Sequence, residues 1–525
     1  MWFTHPVPLS LHSAIMHPFR RGGRRPVRQL LSLLIAGSLV SGCSQTSAQP
    51  QAEGTGHGGI AGGAPQAPQD PPRAADVALA AGAARQSGGV VAAGAADASY
   101  NYGPTVMVEN GRTRMWWCSQ YSSAPPPGDD ILYAEGPSAD GPFTGPGGGA
   151  PVAVLSGAPG NFDGMHTCDP SVLRVGGTYF MYYTGAAGDH ALGNAIGMAT
   201  SPDGIHWTRS NGGKPILGAS HDVHRANVYG AGQPSVVFLD GWYYLMFTDT
   251  TGRAAGWNGA GQFVIRAHDP AFREGVEALG EKGFEPTATT DAPRTRSVVD
   301  AFSVDLEWVG ALDAFAIAHE TADGTTITFW DRDFTMQPYK PVVIPGAWKE
   351  GPGLVRRPDG HAPTSVSDPC DLVSLDVVRA TEIGPAGAPT GLKHFGLDVK
   401  GAGGCSTPSR STATFDGVAM PSPDRMIDLY RRGERIRIDR RSVAAVLAAE
   451  LVDRPLPQVP DVPVTTRLRS GATIVHAYGR GYGMVLDGQL YGLPDTTIVA
   501  LNGSGVQEID PRQWDGAARG LPLGG

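Results

Sequence analysis

Cys168-Asp-Pro-Ser-Val-Leu-Arg-Val-Gly-Gly-Thr-Tyr-Phe-Met-Tyr-Tyr183 decides the fold of this 525-residue chain. A β-branched run meets a Gly-Gly turn, and an aromatic run follows. That order reads as two antiparallel strands joined by a tight turn. The pattern returns along the chain. Tyr-Gly-Pro-Thr-Val-Met-Val at 102–108 leads through Gly111 to Met115-Trp-Trp-Cys118. Gly-Gln-Pro-Ser-Val-Val-Phe at 232–238 leads through Gly241 to Trp242-Tyr-Tyr-Leu-Met-Phe247. Looser copies start at Ala301 (Ala-Phe-Ser-Val-Asp-Leu-Glu) and Gly351 (Gly-Pro-Gly-Leu-Val-Arg). A third strand follows in the clearer copies, as at Ala195–Thr200 and Phe263–Ala267, and Ser201-Pro-Asp-Gly204 fits a type I turn. Such a repeat of short strands predicts an all-β, five-bladed β-propeller over residues 99–412.

The flanks have a different character. Five arginines (Arg20, Arg21, Arg24, Arg25, Arg28) precede an apolar run, Leu30–Val40, which is too short to span a bilayer but suits a signal peptide. Val40-Ser41-Gly42-Cys43 resembles a lipobox. Residues 1–42 are therefore expected to be a lipoprotein signal, with Cys43 lipidated and the protein exported and anchored to the cell envelope through that lipid. Ser44 after the Cys suggests the outer membrane. Residues 43–98 are Ala/Gly/Pro-rich and read as a flexible tether, with a transient helix over 75–96. Residues 413–525 read as a small duplicated module. Its copies are taken as Asp424-Arg-Met-Ile-Asp-Leu and Asp495-Thr-Thr-Ile-Val-Ala-Leu, with a helix at Ser442–Leu451.

Composition excludes other classes. Charged residues are 17%, while Gly (73) and Pro (44) are far above ordinary use, which disfavours helical bundles. Net charge is −9, and the basic stretch lies within the signal, so no nucleic-acid partner is expected. A monomer is the expected state. Cys118, Cys168, Cys370 and Cys405 form an even set in an exported chain, hence disulfides. Of three possible pairings, Cys118–Cys168 and Cys370–Cys405 join sequence neighbours and are favoured.

The first strand of each propeller blade lines the central channel, so carboxylates at blade starts converge even when far apart in sequence. Asp169, Asp300 and Glu350 stand near three such starts. Paired carboxylates are what glycoside hydrolysis requires, one to donate a proton and one to activate water. The stretch 160–357 resembles glycoside hydrolase family 43 and its relatives, five-bladed propellers that include arabinanases, β-xylosidases and levansucrase-type enzymes. The resemblance implies an inverting glycosidase of the arabinosidase or xylosidase kind, with Asp169 as base, Asp300 as modulator of the acid and Glu350 as acid. There are departures. Asp300 is followed by Ala301-Phe302 rather than Pro, and Asp305 competes for its role. Gly103 and Gln233 stand where acids could be. If the family's first blade begins at Gly103, the base is missing and Gln233 replaces the acid, which leaves a non-catalytic glycan-binding lipoprotein. A phosphorylase would need a cationic site from Arg294, Arg296, Arg356 or Arg357.

His166, Gln233, Trp257 and His319 are the candidate substrate-binding residues. Trp116, Trp117, Tyr229 and Trp242 are further candidate sugar platforms, although alternating aromatics in strands are usually core. No organic cofactor is implied. His221-Asp-Val-His224 is a weak metal pattern and no metal is assigned, although similar propellers can hold a calcium in the channel.

Overall fold

The computed structural model describes residues 77–93, 98–121, 128–188, 193–520 and 523. Cys43 and the signal segment lie outside the described residues.

Five blades follow one another along the chain. Blade one holds the final strands of an edge-to-edge series that also includes the N-terminal pair β1 (Ala80–Ala81) and β2 (Arg85–Gln86). Its own strands are β3 (Ala98–Glu109), β4 (Arg112–Tyr121), β5 (Asp130–Gly136) and β6 (Val152–Leu155). Blade two is β7 (His166–Val175), β8 (Thr178–Ala186), β9 (Ala195–Ser201) and β10 (Thr208–Arg209). Blade three is β11 (Ala231–Leu239), β12 (Trp242–Asp249), β13 (Gln262–Ala267) and a hairpin of β14 (Glu277–Gly280) and β15 (Gly283–Pro286). Blade four is β16 (Val304–Val309), β17 (Ala314–Thr321), β18 (Gly324–Trp330) and β19 (Val342–Pro345). Blade five has β20 (Glu350–Arg356), β21 (Leu372–Ile383) and β22 (Pro389–Lys400). The first strand of each blade is innermost. The ring closes where β20 pairs in parallel with β3 through Val355–Val106 and Arg356–Met107.

The chain supplies a fourth strand for blade five from its other end. β1 and β2 pair antiparallel with β22, as at Ala80–Lys400 and Arg85–Gly396. Arg85 then grips Asp376 through Nε and Nη2 (2.9 and 2.7 Å) and Asp398 through Nη1 (2.8 Å). Residues 80–81 and 85–86 are thus strand, where a tether and a transient helix were expected. Ala has little intrinsic strand preference, but the open edge of β22 offers unpaired backbone groups that this segment satisfies.

Between blades the aromatic strands pack as expected of core. Trp116, Trp117, Tyr133 and Tyr182 are fully buried, each removing roughly 1.5–3 kcal/mol of apolar exposure. Trp116 and Trp117 are therefore core and not sugar platforms. Both disulfides form as favoured, Cys118–Cys168 across blades one and two and Cys370–Cys405 behind blade five.

Four inner strands share one device. Register shifts mark a bulge at 102/105, 168/171, 232/235 and 350/353. Gly103, Asp169, Gln233 and Gly351 occupy it with φ of 56°, 48°, 51° and 23°. A side chain at this left-handed position leaves the strand's alternation and is re-aimed. In blade four the strand begins later, at Val304, and Asp305 rather than Ser171 or Ser235 supplies the next polar group. Its Oδ1 accepts from Ser235 Oγ (2.5 Å) and its Oδ2 from Leu354 N (2.7 Å), so Asp305 ties blades three, four and five together.

The axis below is filled. Arg356 Nη1 donates to Leu306 O (2.6 Å) and Val236 O (3.3 Å) and lies 3.2 Å from Asp305. A guanidinium already holding these carbonyls and this carboxylate does not fit a calcium at that point. The turn after β20 closes the far end: Pro358, Asp359 and Gly360 carbonyls accept from Arg174, Phe238 and Trp308 N–H groups of blades two, three and four.

The C-terminal module is duplicated, but on another offset. Val418–Pro421, Ile427–Arg431 and Glu434–Ile438 form a meander, followed by helix Arg441–Leu447 and strand Glu450–Leu451 parallel to the first. Ile474–Ala477, Gly481–Leu486 and Gln489–Gly492 repeat this, with helix Thr497–Asn502 and strand Val506–Glu508. The stretches at Asp424 and Asp495 are thus strand and helix, not equivalents. The expected helix over 442–451 ends at Leu447, because Glu450 pairs with Val418 instead. One core that includes Leu429, Ile436, Met484 and Ile498 joins both copies.

Candidate active site

At the end of the ring where the bulges lie, Tyr100, Tyr102, Asp129, His166, Asp169, Tyr229, Gln233 and Glu350 line a pocket of about 590 Å³, its solvent mouth included. Ala388 and Pro389, from the turn between β21 and β22, complete its wall. Asp169 and Glu350 come from blades two and five. Gly103 stands between them: a Cβ there would lie 3.1 Å from Asp169 Oδ1, and its own Cα lies 3.5 Å from the Cβ position of Gly351.

Asp169 is held by its neighbours. Burial pushes its carboxyl up, and the charge of Asp129 adds to this. His166 and hydrogen bonds from Thr184 and Tyr229 act in the opposite sense. Thr184 Oγ1 also accepts the Gln233 N–H (2.7 Å), which couples the bulges of blades two and three. His166 Nδ1 is bonded to Asp129 Oδ2, and both side chains are buried. Burial alone would lower the His166 value, but the Asp129 charge and hydrogen bond, with Asp169 behind them, raise it. One ring nitrogen of His166, Cys168 Sγ and a carboxylate oxygen of Asp169 lie within 4.8 Å of one another. Cys168 is in a disulfide, so this group offers no thiolate for a metal. Tyr102 and Tyr229 stay phenolic: burial, then Asp169, and also Glu350, raise both well above the ordinary value. Each is a hydroxyl donor facing the two carboxylates. Ser303 Oγ donates to Glu350 Oε1 (2.9 Å).

Asp300 is not among the lining residues. It is exposed, and its carboxylate packs over Gly256 so closely that a Cβ there would lie 2.4 Å from Oδ1. The inner-strand alignment explains the correction: Ser303, not Asp300, holds the place beside Glu350. His319 pairs with Val304 inside blade four and does not line the pocket among the described residues. Trp257 is 68% exposed on a short turn beside Asp300, away from the lining. Trp242 lies against His268, ring centroids 3.7 Å apart, on the outside of blade three. His166, Gln233 and Tyr229 do line the pocket.

The arginines that could have bound phosphate are committed elsewhere. Arg294 pairs with Asp249 (3.2 Å), Arg296 bonds the Phe334 carbonyl, and Arg357 pairs with Asp359 (2.5 Å). Asp129 carries no motif and was not visible in the sequence. It follows Pro125-Pro-Pro-Gly128 in the sequence, and its backbone is pinned to the start of β7 by Asp129 N to Met165 O (3.0 Å) and Thr167 Oγ1 to Asp129 O (2.7 Å). Among the described residues no helix is long and apolar enough to cross a membrane.

No protein-family model matches the chain. Over 120 residues it is 30% identical to arabinan endo-1,5-alpha-L-arabinosidase A of Aspergillus niger, a match covering 23% of this chain and 35% of that protein. A probable form of the same enzyme from another strain of that species matches equally. The chain thus spans about a third of the length of these curated relatives. Among solved structures, similarity extends to a family 117 glycoside hydrolase of Zobellia galactanivorans (TM-score 0.41, 11% identity, 61% of this chain and 90% of that one). It extends also to an alpha-L-arabinofuranosidase of Podospora anserina in complex with cellotriose (TM-score 0.37, 10% identity, 60% and 96%).

Proposed function

We propose that the protein is an exported, lipid-anchored glycoside hydrolase that cleaves arabinosyl or xylosyl linkages with inversion. The observation that carries this reading is the convergence of Asp169 and Glu350 from opposite parts of the sequence on one pocket floored by tyrosines. The curated relatives named as arabinan-degrading enzymes support the sugar class.

In this reading Glu350 enters protonated and gives its proton to the glycosidic oxygen as the C–O bond breaks. Water attacks the anomeric carbon from the other face, and Asp169 takes the water's proton. Solvent exchange then resets both groups. The Asp129 charge raises His166 against burial, and His166 in turn favours the ionised form of Asp169 against its own burial. Tyr102, Tyr229 and Gln233 supply hydrogen bonds to sugar hydroxyls. Stereochemistry tests the scheme: ¹H NMR of early product should show the anomer opposite to that of the substrate. Release of the same anomer would show a retaining mechanism instead.

A glycan-binding protein without catalysis is the second reading. It is favoured by the blade starts Gly103, Gln233 and Ser303, none of which is acidic. Glycan binding by a protein that hydrolyses no sugar of the panel, unchanged in Asp169→Asn and Glu350→Gln, would decide for it.

A further inference from the structure

The Cys118–Cys168 disulfide stands at a rung where the next two seams of the ring use a hydroxyl. Just before the bulge of its blade, Tyr102 pairs with Cys118, Cys168 with Thr184 and Gly232 with Thr248. Cys118, Thr184 and Thr248 are thus equivalent positions on β4, β8 and β12, the second strands of blades one, two and three. Thr184 Oγ1 accepts from Gln233 N (2.7 Å), and Thr248 Oγ1 donates to Phe302 O (2.8 Å), so each stitches its blade to the next by a hydrogen bond. Cys118 makes the same crossing by a covalent bond to Cys168. This is the seam that carries Asp169, the residue after Cys168.

Strand pairing does not fix Asp169, because the β7–β8 register breaks between Cys168 and Ser171. Blade one holds the bulge from both ends instead. Cys118 binds the residue before Asp169, and Thr105 Oγ1 donates to the carbonyl of Pro170, the residue after it. The sulfurs also back the groups around the carboxylate. Both cysteines are fully buried. Their Sγ atoms and an Asp129 carboxylate oxygen lie within 4.8 Å of one another, as do Cys168 Sγ, a His166 ring nitrogen and an Asp169 oxygen. Tyr102 Oη lies 3.2 Å from Cys168 Sγ. A disulfide has no proton to titrate, and sulfur is a weak hydrogen-bond acceptor. It therefore fills this space without competing for Asp129 or His166.

We infer that the Cys118–Cys168 disulfide is a positioning element of the site, which fixes the bulge that aims Asp169 into the pocket. Its catalytic meaning rests on the hydrolase reading; its geometry does not. The second disulfide, Cys370–Cys405, joins residues outside the pocket lining and serves as the comparison. The groups facing the Asp169 carboxylate are His166 on β7, Thr184 on β8, Asp129 ahead of β5, Tyr102 on β3 and Tyr229 ahead of β11, with Glu350 across Gly103. Burial is the first of the influences that raise Asp169. A bulge released from its clamp lets water reach the carboxylate.

The test uses the full chain and an oligosaccharide that the wild type cleaves. Cys118→Ala/Cys168→Ala should lower kcat by about 10²-fold, as misplacement of a reacting group does, with KM changed less than about threefold. Cys370→Ser/Cys405→Ser should keep kcat within about twofold of wild type. Cys118→Thr/Cys168→Gly copies the Thr184–Gly232 seam, where a Cβ on Gly232 would lie 2.9 Å from Thr184 Cγ2. It should recover about tenfold or more of the lost kcat, since a hydrogen bond to the bulge then replaces the covalent one. A kcat within about twofold of wild type in Cys118→Ala/Cys168→Ala, with Glu350→Gln inactive, overturns the inference while the hydrolase reading stands. No recovery in Cys118→Thr/Cys168→Gly also overturns it, because placing the bulge would then not be what the sulfurs supply. A second measurement needs no catalysis. In ¹³C-carboxyl NMR, the Asp169 midpoint should fall by about half a pH unit or more in Cys118→Ala/Cys168→Ala relative to wild type. An unchanged or raised midpoint overturns the inference; a lowered midpoint in a protein that hydrolyses nothing upholds the positioning and rejects the hydrolase reading.

Discussion

Asp129 bonds His166 through Oδ2 and Nδ1, and this buried pair lies beside the Asp169 carboxylate. A carboxylate buried in a pocket is discouraged from ionising, and a cation at this distance is the direct remedy. Replacing His166 by Gln should therefore move the acidic limb of activity to higher pH, while Glu350, on the far side of Gly103, keeps the alkaline limb in place. A pH profile of kcat/KM reads both limbs, and an unmoved acidic limb would contradict the role given to His166.

The same pair carries a stability prediction. The His166 value is raised in the folded protein above its unfolded value of about 6.5. Its stabilisation is fully present below that unfolded value and is lost as pH rises through the raised folded one. The stability gap between wild type and Asp129→Asn should thus be larger at pH 5 than at pH 9. Urea midpoints at the two pH values measure it, and an equal gap would show that the pair contributes no charge-dependent stability.

Asp169 sits at φ 48°, where Asn is tolerated and Ala is strained. Asp169→Ala should be less stable than Asp169→Asn by about 1 kcal/mol, though both lack the base. Thermal melts of the two variants compare them directly, and equal melting temperatures would mean that the bulge relaxes.

Removing residues before 98 strips β1 and β2 from blade five and leaves the β22 edge bare. It also removes Leu79, Val91 and the Arg85 grip on Asp376 and Asp398. A fragment starting at 98 should melt at least ~5 °C below one starting at 77 and should aggregate more readily. Matching melting curves would show that the ring closes through β20 and β3 alone.

Asp300→Ala should leave kcat/KM within about twofold of wild type, since its carboxylate packs over Gly256 outside the pocket. A loss of a hundredfold or more would return Asp300 to the mechanism.

The propeller was legible because its aromatic and β-branched strands repeat with turn residues between them, and because inner-strand Pro follows the bulge in blades one, two, three and five. Asp169 and Glu350 flank that Pro, and so their positions could be read. Blade four has no such Pro, and its strand starts later. That is why Asp300 looked like a blade-start acid while Ser303 holds the place. Asp129 left no local mark. It follows Pro125-Pro-Pro-Gly128 in a stretch without a recognisable motif, and only its hydrogen bonds to Met165 and Thr167 bring it to the pocket. The short strands at 80–81 and 85–86 escaped notice for a similar reason. Their Ala-rich composition favours helix if anything, and the open edge of β22 imposes the strand conformation instead. In the C-terminal module the repeated Ile-Asp pairs were a misleading guide, because the true repeat lies in the order of strands and helix.

Hydrolysis of arabino- and xylo-oligosaccharides by the wild type, Asp169→Asn and Glu350→Gln is the most direct test of the central claim. The two-carboxylate account predicts measurable turnover in the wild type and a fall of about 10²–10⁴-fold or more in each variant, with glycan binding retained. Turnover equal to wild type in either variant would contradict it.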